Sequence, residues 1–376
     1  MKDIKVKVGI KTNGLPQIKK AGDFTIVSNM LIGDGFHWQK TIEVRLPGEV
    51  ILLEKRGKEG LSECIDAEIS LINILPLETY LENVVGSEMN ASSPIEFLKA
   101  HAIISRNWVL GKIMKIHSTD KKGSIHKDNI IIGWDDTSCH YGFDVCSDDH
   151  CQRYQGVQDI SQEAIIAIRE TKNLVLTDNK GKIIDTRFSK CCGGKTEIFS
   201  TCWQTREEDC LESVKDPWCD LSGLEPPERD SLLSTILKVY DKETKNYGFR
   251  WHEIVNKTTI KINLKKYFNK DIGEILELEP KRRGPSGRID LLEIKGTKSN
   301  LLLGKELWIR RLLSSSHLYS SAFEIKRKGD DFDIRGRGWG HGVGLCQIGA
   351  AHMALHGYDY ESILKFYYPG SKLQTL

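Results

Sequence analysis

Thiol and imidazole groups crowd one short stretch of the chain. His140, Cys146, His150 and Cys151 fall within Cys139-His-Tyr-Gly-Phe-Asp-Val-Cys-Ser-Asp-Asp-His-Cys151. Thiolate sulfur and imidazole nitrogen are natural zinc ligands, and four of them close a tetrahedral structural site. The surrounding segment is polar and short of core residues, so it needs a staple. Its spacing is not that of a zinc ribbon, and a disulfide or free thiols remain the plainer reading. Eight of the ten cysteines fall between 139 and 219. Such a cluster means disulfides in an oxidising compartment or metal ligands in a reducing one. Cys191, Cys192, Cys202, Cys210 and Cys219 can supply further ligands or disulfides, and their pairing stays open.

A second stretch combines glycine with groups that can bind. Gly336, Gly338, Gly340, Gly342 and Gly344 alternate around His341, and Gln347 follows closely. Such a run holds no regular helix at reasonable cost, but it lets backbone approach a ligand or another strand closely. A tight structural bend is the bland alternative. The run lacks the Lys-Ser/Thr ending of a phosphate loop, which sets nucleotide binding aside.

The elements that must position these groups can be read from periodicity. Val6, Val8 and Ile10 alternate with charged residues, and residues 1 to about 75 read as strands. Pro76 opens a helix carrying Leu77, Tyr80, Leu81, Val84 and Val85, and Asn90–Pro94 breaks it. A long helix then runs from about Ser93 to residue 116. Residues 117–160 read as a loop, Leu174–Leu176 and Lys182–Phe188 as strands, and 205–230 as loop. Leu291–Ile294 and Ala322–Lys326 read as strands, and Leu345–Leu355 as a helix. The expected fold class is α+β: a mixed, mostly antiparallel sheet or barrel with a helical segment, in one intertwined unit. The expected divisions are a β-rich region over 1–68, helices and Cys/His-rich loop over 69–225, an inserted α/β region over 226–330, and the Gly-rich motif with its helix over 331–376.

Composition is that of an ordinary globular chain: 376 residues, 39% hydrophobic, 28% charged, net charge +2. No basic run points to nucleic acid, and no apolar stretch approaches the ~18–20 residues of a spanning helix. The N-terminus follows a strand pattern rather than that of a signal peptide.

Four segments together are distinctive: Leu75-Pro-Leu-Glu-Thr-Tyr-Leu-Glu-Asn-Val-Val-Gly-Ser-Glu-Met89 running on to Arg106; Phe188-Ser-Lys-Cys-Cys-Gly-Gly194 with Thr196-Glu197; Gly284-Pro-Ser-Gly-Arg-Ile289; and Gly336–Ala350 ending in Phe366-Tyr-Tyr-Pro-Gly370. In this order, over roughly residues 70–376, the chain resembles the SpoIID/LytB family (stage II sporulation protein D and amidase-enhancer proteins). The resemblance implies lytic transglycosylase activity on peptidoglycan glycan strands, preferably stripped of stem peptides. The product is a 1,6-anhydro muramic end, and the catalytic glutamate falls on Glu88. It implies a sugar-contacting loop at Ser189, Gly193 and Gly194. It also implies that His140, Cys146, His150 and Cys151 resemble a zinc site found in some relatives. The paired Cys191 and Cys192 depart from the small polar residues usual there.

The chemistry suits these residues. A carboxyl beside apolar packing favours its neutral form and can protonate a leaving oxygen. The substrate's own 6-hydroxyl attacks, so one carboxyl serves as acid and then base. No catalytic cofactor is needed, and a zinc ion would be structural. Outside such a motif, a glutamate near a helix end is ordinarily a solvated charge. Lys99 and Arg106 lie on one helix face and can orient Glu88 or hold a sugar oxygen, or can simply be an amphipathic face. Tyr80 can line the cleft or pack. His341 and Gln347 can meet sugar hydroxyls. Glu82 falls on the opposite helix face from Glu88. The expected partners are glycan strands and a cell-wall amidase, in the cell envelope. Two other readings are a non-catalytic module that stimulates an amidase, and a hydrolase with a second carboxylate at Asp135 or Asp136.

Overall fold

The structure, a computed structural model, describes residues 4–34, 39–53, 69–90, 92–114, 124–134, 140, 142–148, 150–157, 160–204, 208, 210–237 and 245–376. Asp135, Asp136, Cys64 and Cys139 lie outside the described residues.

Alternation in the strand Lys5–Lys11 turns Val6, Val8 and Ile10 inward and Lys5 and Lys7 outward. It pairs antiparallel with Ile69–Pro76 and, on its other edge, parallel with the short strand Val145–Cys146. A sheet residue pair, Gly9 opposite Cys146, thus anchors the cysteine-rich segment. A three-stranded meander, Ile18–Ala21, Phe24–Ile32 and Lys40–Pro47, packs its buried residues into the same core.

Two helices follow at once. The first, Leu77–Glu88, starts after Pro76 and buries Tyr80, Leu81, Val84 and Val85; Met89 already has extended backbone. The second, Ile95–Ile113, starts after Pro94, and every residue from Phe97 to Gly111 except Lys99 is buried. A helix buried on all sides belongs to the centre of a core. Each fully buried Leu or Ile there contributes about 1.5–3 kcal/mol. Asn107 extends the hydrogen bonding of the strand Leu174–Thr177 by donating to Leu176 O (2.6 Å) and accepting from Leu176 N (2.8 Å).

A second core is built mainly from residues 251–334, with Ile131 added from far upstream. Its five-stranded sheet runs Ile275–Arg283, Ile289–Gly296, Asn300–Gly304, Ile130–Gly133, Ser124–Lys127. The last two strands form a hairpin where the sequence suggests only loop. The run Ile130-Ile-Ile132 becomes a strand because Asn300–Gly304 offers it a parallel edge. Several helices are likewise absent from the sequence reading, among them Gln162–Glu170, capped by Ser161 Oγ, Pro226–Ile236 and Tyr360–Tyr367. The expected strand Lys182–Phe188 shrinks to Phe188–Ser189. Thr186 there turns its hydroxyl to Ile104 O of the second helix instead (2.7 Å).

The fold is α+β with mostly antiparallel sheets, and among the described residues no sheet closes into a barrel. No described helix is long and apolar enough to cross a membrane.

Arg106 is fully buried in the second helix. Its Nε and Nη2 donate to Glu78 of the first helix (3.0 and 2.8 Å), and its Nη1 donates to Leu174 O (3.1 Å). Removing one partner of such a pair leaves a poorly solvated charge. Arg106→Ala is expected to lower the unfolding free energy by about 3 kcal/mol, measured by urea denaturation. A midpoint within error of the parent would show that the two helices do not depend on this ion pair.

Candidate functional site

The first helix delivers Glu88 at its last turn, where the chain leaves helical geometry. The residue is 7% exposed. An extended segment runs across this helix end and meets it residue by residue. Arg153 N–H donates to Glu88 Oε1 (3.0 Å), and Gln155 N–H donates to Ser87 Oγ (2.9 Å). The two-residue period of an extended chain puts both N–H groups on the same edge.

Glu88 opens into a cleft with a cavity of about 400 Å³, within the range of small-ligand sites. Ser189, His341 and Gln347 line the same cleft, as do Cys146, His150 and Cys151. These groups come from four stretches of sequence.

The Gly-rich run reaches the cleft because it packs onto its own protein. Gly342 has φ +77°, and a Cβ there would meet Arg288 Cζ at 2.3 Å; at Gly344, φ is +71° and Arg187 O would lie at 2.0 Å. Only glycine admits both the conformation and the approach. His341 is thereby held edge-on to Trp203, with ring centroids 4.9 Å apart. Val343 N–H donates to His341 Nδ1 (3.0 Å), which leaves the ring proton on Nε2. Burial, then Arg187 and Arg288, hold the imidazole well below the usual histidine range. His341 is therefore a neutral N–H donor.

Gln347 begins the helix Gln347–Leu355. Its amide Nε2 donates to His101 Nε2 (3.0 Å), and His101 Nδ1 sits 3.2 Å from Ser105 Oγ. Burial, with Lys190 nearby, lowers His101 to about 3, so it stays neutral and can accept. That contact fixes how the Gln347 amide stands in the wall.

The cleft contains buried polar atoms with unused hydrogen-bonding capacity. Ser189 Oγ, Trp134 Nε1 and Glu306 Oε2 have no partner among the described residues. Buried polar atoms are rarely left so. Arg187 also faces the cleft. Its guanidinium lies 4.2 Å from the Trp203 ring centroid and is held by Asp185 through two 2.8 Å bonds. The described lining carries seven Lys and Arg side chains against four Asp and Glu, a cationic surplus.

Other expected site residues stand elsewhere. Tyr80 is fully buried, stacked on Tyr154 at 5.7 Å, and donates to Gln152 Oε1 (2.9 Å). Its ring packs and does not line the cleft. Arg106 is spent on Glu78, and Lys99 pairs with Glu96 (2.7 Å) and Glu170 (2.8 Å). Neither reaches Glu88: the shared helix face is real, but it looks toward neighbouring helices. Gly193 and Gly194 turn the chain behind the wall, with Gly193 packed on the Arg337–Gly338 backbone. Glu82 stands apart as expected; burial raises its pKa, and Arg169 counteracts the rise. Arg187, Trp203, Trp134 and Glu306 were not singled out in the sequence. The one signal available was that Arg187 directly precedes the Phe188–Gly194 segment.

The thiol and imidazole cluster is assembled. One ligand atom each of His140, Cys146, His150 and Cys151 lies within 4.8 Å of the others. Cys146 Sγ and Cys151 Sγ are each 3.7 Å from His150 Nδ1, and Cys151 Sγ is 3.8 Å from His140 Nε2. Tetrahedral zinc with bonds of ~2.3 Å to sulfur and ~2.0 Å to nitrogen would place such atoms about 3.6 Å apart. His140 Nδ1 is 3.2 Å from Asp144 O, so a proton there leaves Nε2 free to ligate. Without a cation, the neighbouring Cys151 thiol and burial push Cys146 up to about 12. The donor set fits a divalent metal, and the cluster can hold one.

The Stage II sporulation protein family matches residues 66–177, which include Glu88 and the whole metal-ligand segment. A family described as a domain of unknown function matches residues 197–344. Stage II sporulation protein D of Bacillus subtilis is 28% identical over 80% of this chain and 74% of its own length. An uncharacterized protein of Brachyspira hyodysenteriae is 28% identical over 80% of this chain and 67% of its own. The amidase enhancer of Bacillus subtilis is 25% identical over 78% of this chain, which spans only 40% of that longer protein. The chain thus carries a Stage II sporulation protein domain over residues 66–177, and along most of its length it is similar to stage II sporulation protein D and to an amidase enhancer.

Proposed function

We propose that the chain is a peptidoglycan lytic transglycosylase. It cleaves the MurNAc–GlcNAc bond of glycan strands and leaves 1,6-anhydroMurNAc ends. The observation that carries this reading is the setting of Glu88, a buried carboxyl with one oxygen held by Arg153 N–H at the floor of a cleft. The carboxyl protonates the glycosidic oxygen as the bond to the anomeric carbon breaks. It then takes the proton of the muramic 6-hydroxyl as that oxygen closes on the same carbon. The proton balance is zero and no water is consumed, so a second carboxylate is not needed.

The remaining wall suits a sugar polymer. His341 Nε2–H, the Gln347 amide and Ser189 Oγ meet hydroxyl and acetamido groups, and Trp203 offers an aromatic face. The cationic surplus suits stripped strands, in which each muramic acid bears a free lactyl carboxylate. The substrate places the chain in the cell envelope, beside the amidase that strips the strands.

His140, Cys146, His150 and Cys151 hold a structural zinc ion in this reading. When bound, it supplies rigidity and no catalytic step. Cys151 is followed directly by Gln152, which meets Tyr80, and by Arg153, which meets Glu88. The ligand set therefore fixes the segment that orients the carboxyl.

Incubation with amidase-stripped strands, with products identified by mass spectrometry, is expected to yield anhydro-ended disaccharides. Glu88→Gln keeps the hydrogen bond from Arg153 and is expected to fold normally while losing about 10²–10⁴-fold in rate. Reducing ends would convert the assignment to a hydrolase. The second reading, a non-catalytic enhancer, is favoured by the relative that bears the name amidase enhancer. It would be adopted if no strand is cut while a cell-wall amidase is accelerated.

Cys151→Ser is expected to release about one metal equivalent, lower the melting temperature and slow cleavage by about 10²-fold through misplaced geometry. Unchanged metal content by elemental analysis would remove zinc from these four ligands.

A further inference from the structure

Behind the wall that carries Ser189 and Gln347 lies a second group of ligand atoms. Cys192, Asp216, Cys219 and Cys346 each place one ligand atom within 4.8 Å of the others, and all four residues are buried. They come from three distant parts of the chain. Cys192 follows the strand Phe188–Ser189, Asp216 and Cys219 bracket a turn of 3-10 helix, and Cys346 ends the strand Leu345–Cys346. The first and last of these strands pair in parallel, with Ser189 opposite Cys346.

We propose that this group is a second structural zinc site, with Cys192, Cys219 and Cys346 as thiolate ligands and an Asp216 oxygen as the fourth. Three acidic thiols and a carboxyl do not ordinarily share a dry core, and a divalent cation is the species that makes their joint burial favourable. Three sulfurs and one oxygen match the soft-to-borderline, tetrahedral preference of zinc. The surroundings are those of thiolates. Backbone N–H groups of Cys192 and Gly349 point to Cys346 Sγ (3.3 and 3.5 Å), and that of Gly194 points to Cys192 Sγ (3.3 Å). Cys346 also caps the helix Gln347–Leu355, where the backbone dipole favours negative charge. The carboxylate has its own outer support. Tyr367 Oη donates to Asp216 Oδ2 (2.9 Å), and Cys219 N donates to Oδ1 (3.1 Å). Asp216 Oδ2 already lies 3.2 Å from Cys192 Sγ.

Binding exchanges the thiol protons for the metal and changes no oxidation state. The ion would lock the parallel strand pair from behind, fixing Ser189 and Gln347 on its cleft side. This inference does not depend on glycan cleavage. The competing fate is oxidation, because Cys191 Sγ stands 3.3 Å from Cys219 Sγ.

The test is the metal stoichiometry of the full chain purified without chelator. Two zinc ions per chain are expected. A variant lacking the first set, His140→Ala with Cys151→Ser, should keep one. X-ray absorption of that remaining ion should give three sulfurs at about 2.3 Å and one oxygen. Asp216→Asn keeps the shape of the site and should lose zinc to a chelator at least about tenfold faster, by the weight of supporting and ligand groups in such sites. One zinc in the parent and none in the first-set variant would overturn the proposal. So would a Cys191–Cys219 disulfide in peptide maps of the native chain, or iron in place of zinc.

Discussion

The guanidinium of Arg288 is completely buried and is met by oxygen atoms from three segments. It donates to Gly340 O (3.1 Å), to Cys192 O (3.4 Å) and to Ser286 Oγ (2.9 Å). Ser286 Oγ in turn donates to Glu197 Oε2 (2.6 Å), and Glu197 Oε1 accepts from Ile198 N (2.8 Å) and Thr201 Oγ1 (3.1 Å). A buried charge is tolerable only when its hydrogen bonds are complete and its counter-charge is near. That condition dictates much of the cleft. The carbonyls of Gly340 and Cys192 must face one point, so the Gly-rich run and the Cys191-Cys192 turn cannot move apart. Gly338 and Gly342 lack side chains where the guanidinium lies. His341 is placed by what happens on either side of it.

The opposite wall follows a different logic. Glu88 accepts a backbone N–H from Arg153, on a segment that itself hangs from Val145–Cys146 on the N-terminal sheet. One wall is thus registered by a buried ion and its hydrogen bonds, the other by sheet pairing and a thiol–imidazole cluster. Both are rigid devices, which the proposed glycan cleavage would need in order to place a proton within hydrogen-bond reach of a bound strand.

Much of this was legible in the sequence where the signal is local. Proline at 76 and 94, apolar spacing between them and the break at Asn90 marked where both helices start, although the second ends at Ile113 rather than at residue 116. The four clustered ligands lie within one short segment and meet as expected. Long-range partners were not legible. Ile130–Gly133 is a strand only because Asn300–Gly304 lies beside it. Arg106 and Lys99 share a helix face, but periodicity does not say which neighbour that face meets. Glu78 and Glu170 supplied the answer. Arg187 and Trp203 stack across a gap of sixteen positions in sequence, with no motif to announce the pair.

The cysteines show how such distances are bridged. Cys192 and Cys346 are separated by more than 150 positions, yet the N–H of one meets the sulfur of the other. Neither the large core nor the second core covers this junction with apolar side chains alone, because Asp216 and the thiols occupy it. An apolar substitute would pack, but it would not fix the mutual orientation of three chain segments as directional ligand bonds do. Hydrophobic burial is non-directional. The wall holds Ser189 and Gln347 at its front, where a shift of an ångström matters. A set of directional ligands at its back is therefore the physically economical way to hold it, and it explains why thiols gather behind this cleft rather than at the surface.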